Sequence, residues 1–195
     1  MAEMESLDRV QCEQCRDGNH SACAELLKRH EKRIARLMWR FSRDRGTQAE
    51  LVQEVFVQAY LSLPRYKPSG VPFEHWLVRI GTRVGYQFWK TQSRGRKMVP
   101  LTEAVDAPAA EEEANDPSAA AAMLHQLLAL LPPADRLVLT LMYFEECSIK
   151  EIARRAGWNV AIVKMRAYRA RNRLKAIIEE KKMAETLRDM VYGTP

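Results

Sequence analysis

IKEIARRAGWNVAIVKMRAYRAR, residues 149–171, holds two helical patterns on either side of a glycine. Ser148 and Glu151 stand in capping-box spacing, so a helix opens at Ser148 and runs to Ala156. Gly157 supplies the positive φ of a tight turn. Asn159 then caps a second helix that runs to about Lys182. Ala153 is small where two helices must approach, and Val163 is branched and apolar where the second helix must pack. In that helix Val163, Ala167, Ala170, Leu174 and Ile177 recur at +4, +3, +4 and +3, which makes one core face. Lys164, Met165, Arg166, Tyr168, Arg169, Arg171 and Arg173 occupy the rest of its surface. This is a helix-turn-helix with a basic second helix. Its first turns are placed to meet base edges in a groove and its later ones to meet phosphates.

Upstream, Ala119–Leu131 and Ala134–Phe144 read as two further helices, with Pro132 and Pro133 stopping the first. Before them lies VPLTEAVDAPAAEEEANDPS, residues 99–118, with three prolines, six carboxylates and no apolar period. Residues 97–117 are therefore expected to form an extended acidic linker. It separates a module of residues 1–96 from one of residues 118–195. Charge follows the same division. The whole chain carries +6, but residues 28–97 carry +11, residues 98–135 carry −7 and residues 136–195 carry +6. Two basic blocks flanking an acidic spacer fit two separate grips on a polyanion.

The first module also reads as helical, so the expected fold class is all-α. A short helix near Leu7–Arg16 precedes a break at Gly18 and a long basic helix over Ser21–Arg43. Ala49–Leu63 is a helix buried on one face and ended by Pro64. The loop RYKPSGVP leads to Pro72, which suits the first turn of a helix reaching about Arg94. That last helix interleaves Trp76, Tyr86, Phe88 and Trp89 with Arg79, Arg83, Lys90 and Arg94. Aromatic faces among cations suit unstacked bases of single-stranded nucleic acid. Phe73, Trp76 and Phe88 fit a core role better, whereas Tyr86 and Trp89 fit either role. The loop Arg65–Val71, with Arg65, Tyr66 and Lys67, lies beside this helix and is a candidate to hold a flipped base.

LVQEVFVQAY, FEHWLVRI, LLALLPPADRLVLTLMYFEECSIKEIARRAG and VKMRAYRARNRL, in this order and spacing, resemble bacterial sigma factors. The two-module plan resembles the extracytoplasmic-function (ECF) class, which keeps regions two and four. The resemblance implies that Leu51, Gln53, Glu54 and Phe56 bind the clamp of core RNA polymerase. It implies that Arg65, Tyr66, Lys67, Arg79, Arg83, Tyr86, Trp89, Lys90 and Arg94 melt and read the minus-ten element. It assigns the seven surface residues of the last helix to the minus-thirty-five element. Promoter DNA, core polymerase and an anti-sigma factor are the partners implied, with no catalytic residue and no cofactor. The place implied is the bacterial cytoplasm, near the membrane where an anti-sigma factor holds it.

No run of 18 apolar residues exists, and MAEMESLDRV is too acidic for a secretory signal. The four histidines are scattered, and no nucleophile or phosphate loop stands out. Cys12, Cys15, His20 and Cys23 form C-x2-C-x4-H-x2-C, a spacing that allows zinc or thiol redox sensing. The stronger expectation for them, and for Cys147, is buried thiols kept reduced. Two alternatives follow from these features. One is a conventional dimeric helix-turn-helix regulator, and the other a metal- or redox-sensing regulator built on the N-terminal cluster.

Overall fold

The computed structural model describes residues 2–67, 71–98 and 117–180. Eight α-helices lie within these residues, with no strand among them. They are α1 (Ala2–Arg16), α2 (His20–Met38), α3 (Arg45–Ser62), α4 (Phe73–Met98), α5 (Pro117–Ala129), α6 (Pro133–Tyr143), α7 (Ile149–Ala156) and α8 (Val160–Glu180). A single 3-10 turn, Leu63–Arg65, follows α3. Contacts divide the chain into two compact units. One holds α1 to α4 as far as Trp89, together with Ala153–Trp158; the other holds Lys90–Ile152 and the chain from Asn159 onward. Residues 99–116, most of the expected linker, lie outside the described residues, as does the chain beyond Glu180.

In the first unit the turn after α1 uses Gly18 at φ +87, a conformation that costs an L side chain but not glycine. Asn19 then caps α2, its side-chain oxygen accepting from the Ala22 N–H at 3.1 Å. The helix stops at Met38, five residues short of the expected Arg43, and turns over residues 39–41 follow it. Two tight bonds make that corner: Phe41 N–H donates to Met38 O at 2.8 Å, and Arg40 N–H to Leu37 O. The corner drives Phe41 into the core. Asp44 caps α3 by accepting from Thr47 N–H at 2.7 Å, which holds its carboxyl below the usual range. Pro72 precedes α4 rather than occupying its first turn, and its carbonyl accepts from Trp76 N–H.

α1 is fixed to α2 by a buried charge cluster. Asp8, 4% exposed, accepts from Arg29 at 2.6 Å and meets His30 Nε2 at 2.9 Å. A carboxylate removed from water this far needs such partners. Leu26, Ile34, Leu37, Met38, Phe41, Val55, Leu77 and Val78 form the centre of this unit. α4 approaches closely through Gly81 and Gly85. A Cβ at Gly85 would overlap the Phe41 ring, so glycine is what lets Phe41 sit there.

The second unit is built on α6, whose residues from Ala134 to Leu141 are all buried. Leu128, Leu131, Leu139 and Ala170 form its core, with Leu124, Phe144, Leu174 and Ile177 packed around them. α6 therefore packs on α8, and α5 closes on both.

Candidate nucleic-acid interface

The helix-turn-helix forms as its residues dictate. Ser148 Oγ accepts from Glu151 N–H at 3.2 Å, and Asn159 Oδ1 accepts from Ile162 N–H at 2.8 Å. Gly157 sits at φ +73 between them. Ala153, Val163, Ala167 and Ala170 are buried, so the inner face of α8 is the expected one. Lys164, Met165, Tyr168 and Arg169 project outward from its first half; Met165 is 49% and Tyr168 63% exposed. An aromatic and a thioether left in water beside two cations form a surface with both charge and apolar reach.

Two arginines expected on that surface have another partner. Arg173 Nη1 donates to Asp135 Oδ2 at 2.5 Å, and Arg166 Nη1 to Asp135 Oδ1 at 3.4 Å. Asp135 is 1% exposed, on α6. One buried carboxylate thus ties α6 to two points on α8 that lie about two turns apart. Arg166 and Arg173 orient the helix as much as they offer charge to a ligand. Arg171 is exposed, its Nη1 3.9 Å from Met142 Sδ. The sequence signal for Asp135 is that it is the single carboxylate between Pro132 and Phe144, in a helix whose other polar residues are Arg136 and Thr140.

On α4 the buried face runs Phe73, Leu77, Gly81, Gly85, Trp89, a strict spacing of four. Trp89 is therefore core and not an open stacking face. It is 2% exposed, its Nε1 donates to Phe41 O at 2.8 Å, and its ring lies 4.6 Å from that of Phe41. The expectation that Trp89 captures a base is corrected by this burial. Tyr86, Phe88, Arg79 and Lys90 are half-buried, while Arg83 and Arg94 are exposed. None of these six belongs to the fully buried stripe.

Tyr66 is corrected in the same way. It is 5% exposed and packs edge-on to Phe73 and against Trp76. Its hydroxyl donates to Val71 O at 2.6 Å, which ties together the two ends of the loop. Burial, and then the Cys12 and Asp8 charges, push its phenol up to about 12. Arg65 and Lys67 on either side of it are exposed. Residues 68–70, the tip of that loop, lie outside the described residues.

On α3 the inward stripe is Leu51, Val55 and Ala59. Leu51 is 7% exposed, so it supports the helix from within and does not face a partner. Phe56 is half-buried. Gln53 and Glu54 are exposed, with Gln58 Nε2 donating to Glu54 Oε1 at 2.8 Å. Beside them lie Val57 (47% exposed), Tyr60 (47%) and Leu61 (66%). The apolar spacing of this helix places Tyr60 on its buried face, whereas Tyr60 is exposed along with Val57 and Leu61. The signal was apolar residues lying off the Leu51–Val55–Ala59 stripe, giving α3 a second, uncovered apolar strip.

Two of the three N-terminal cysteines pair with each other. Cys15 and Cys23 are joined as a disulfide, with Cα atoms 5.0 Å apart. Cys12 is fully buried, and desolvation followed by the Asp8 charge pushes its thiol up to about 12. His20 is exposed. Among the described residues no group of three or more His, Cys, Asp or Glu could hold a metal ion. The expectation that all four cysteines are free thiols is corrected at Cys15 and Cys23; Cys12 and Cys147 are free and buried.

Comparison with known proteins agrees with this arrangement. Residues 26–95 match the family description "Sigma-70 region 2", and residues 121–174 match "Sigma-70, region 4". The ECF RNA polymerase sigma factor SigE of Mycolicibacterium smegmatis is 32% identical over 155 residues, spanning 77% of this chain and 59% of that protein. This chain thus covers less than two thirds of that relative. ShbA of Streptomyces griseus, also an ECF sigma factor, is 32% identical over 136 residues, 67% of this chain and 71% of that one. The solved structure of CnrH in complex with the cytosolic domain of CnrY covers 89% of this chain and 98% of its own, at 25% identity and a TM-score of 0.58. CnrH of Cupriavidus metallidurans is an RNA polymerase sigma factor. The chain belongs to the sigma-70 family, among the ECF sigma factors.

Proposed function

We propose that this chain binds core RNA polymerase and directs it to promoters, performing no bond chemistry itself. The observation that carries the proposal is the pairing of two matched regions, each with its own basic surface. In this reading the α3 strip of Gln53, Glu54, Val57, Tyr60 and Leu61 docks on the polymerase, with Phe56 at its edge. α8 enters the major groove of the minus-thirty-five element through Lys164, Met165, Tyr168 and Arg169, while Arg166, Arg171 and Arg173 lie nearer the phosphates. The exposed Arg65, Lys67, Arg83 and Arg94, with Arg79, Tyr86 and Lys90, meet the minus-ten element. Binding of one module makes the second contact effectively intramolecular, so both weak grips act together. The acidic residues 97–117 stay off the DNA through their own charge.

An anti-sigma partner is part of the same reading, supported by the capture of CnrH with the cytosolic domain of CnrY. No helix among the described residues is long and apolar enough to cross a membrane, which accords with a cytoplasmic site of action. The test is co-migration in size-exclusion chromatography. The chain should elute with purified core polymerase, and Leu61→Asp should abolish the shift while leaving the helical circular dichroism unchanged. A chain that elutes alone under low salt removes the proposal.

A further inference from the structure

We propose that Cys15 and Cys23 are a reversible dithiol site that exchanges with low-molecular-weight disulfides of the glutathione type, clamping the end of α1 to the start of α2. The pair has the placement such a site needs. The Cα separation of 5.0 Å lies within the range a disulfide spans without moving backbone. The two residues are eight apart and flank the Gly18 turn, so closing the bond requires no rearrangement of either helix. They also line a small apolar pocket with Leu26, Ala59, Tyr60 and Leu63. Cys15 is 9% exposed and Cys23 5%, so Cys15 is the less covered of the two and is taken as the attacking thiol.

Cys12 does not compete. It lies one turn before Cys15 but is fully exposed to core and not to solvent, with its proton held firmly by burial. The other ties between α1 and α2 lie earlier in α1, at Asp8 with Arg29 and His30 and at Gln11 with Glu25. The cysteine pair therefore governs the last turn of α1, where Arg16 reaches Leu63 O at the end of α3. Oxidation fixes this corner and reduction lets the last turn fray.

The exchange balances as follows. The Cys15 thiolate attacks RSSR and expels RS⁻, leaving a mixed disulfide. The Cys23 thiolate displaces the second RS⁻ and closes the Cys15–Cys23 bond. Two protein thiols are oxidised by two electrons, one RSSR is reduced to two RSH, and the two protein protons end on those thiols. The proposal stands apart from the polymerase reading, because nothing in it requires a partner.

The test equilibrates the full chain in buffers whose reduced-to-oxidised glutathione ratio runs from about a thousand to one down to about one to one. Acid quenching, alkylation and intact mass then count the free thiols. The expected result is a reversible passage from four alkylated cysteines to two, with the protected pair mapping to Cys15 and Cys23. Amides of the last turn of α1 should exchange at least about tenfold faster in the reduced form. Cys23→Ser should stop at one glutathione adduct, on Cys15. Four free thiols at every ratio, a bond that survives excess dithiothreitol, or protection mapping to Cys12 would each overturn the proposal. The three overturning outcomes are read on the unmutated chain, so they do not depend on how the Cys23→Ser variant folds.

Discussion

Replacing Asp135 with Asn keeps the shape of the side chain and removes its charge. Its carboxylate is 2% exposed, whereas the Arg173 side chain is 49% and Arg166 29% exposed. A charge-assisted hydrogen bond is worth about 1.5–3 kcal/mol, and the 2.5 Å contact to Arg173 is the stronger of the two. Because both arginines reach solvent, the loss is screened, and we place it at about 2 kcal/mol for the pair together. For a unit of this size that lowers Tm by roughly 10 °C. Arg166 and Arg173 are also released from α6. Each can then neutralise a phosphate, steepening the slope of log K against log salt by up to about 0.9 per arginine. Fluorescence anisotropy of the full chain on labelled duplex DNA, over about 50–200 mM salt, reads that slope. Calorimetry reads the stability, and a double-mutant cycle with Arg173→Ala isolates the pair. Wild-type Tm together with an unchanged salt slope would refute the reasoning.

Other outcomes follow from the same contacts. The Cys12 thiol and the Tyr66 phenol are both pushed up to about 12 by burial, so the fold holds their protons where the unfolded chain releases them. The contribution of these two groups is then level below pH 9 and falls as pH climbs from 9 toward 12, because the native state binds more protons in that window. Tyr66→Phe should shallow that fall, visible in alkaline urea melts, while losing about 1 kcal/mol at neutral pH with the Val71 bond. Gly85→Ala should cost about 1–3 kcal/mol through overlap with Phe41, measured by urea denaturation, with Trp89 fluorescence altered. Arg169→Ala should weaken promoter-specific transcription about tenfold or more, the loss of roughly one base or phosphate contact. It should leave polymerase co-elution unchanged.

Local signals carried the helices and the helix-turn-helix. Ser148, Gly157 and Asn159 act within four residues of their own position, so their spacing alone implies the caps and the turn. The stripe Val163–Ala167–Ala170 was legible for the same reason. What was not legible depended on contacts distant in sequence. Trp89 reads equally well as a stacking face or as core until Phe41, 48 residues away, accepts its N–H. The early end of α2 belongs to the same event, because the corner after Met38 delivers Phe41 to that place. Tyr66 looked like part of an open loop, but Phe73 and Trp76 cover its ring. Arg166 and Arg173 read as ligand-facing cations because Asp135 lies 31 and 38 residues away. The cysteine spacing did not distinguish a metal from a bond, since that depends on the angle at which α2 folds back on α1.

Run-off transcription with purified core polymerase tests the central claim most directly. Templates are fragments of the source genome, with and without this chain. The account predicts discrete, chain-dependent transcripts whose start sites share two upstream elements, and their loss with Lys164→Ala combined with Arg169→Ala. Absence of any chain-dependent start, with the chain demonstrably folded and bound to polymerase, would contradict it.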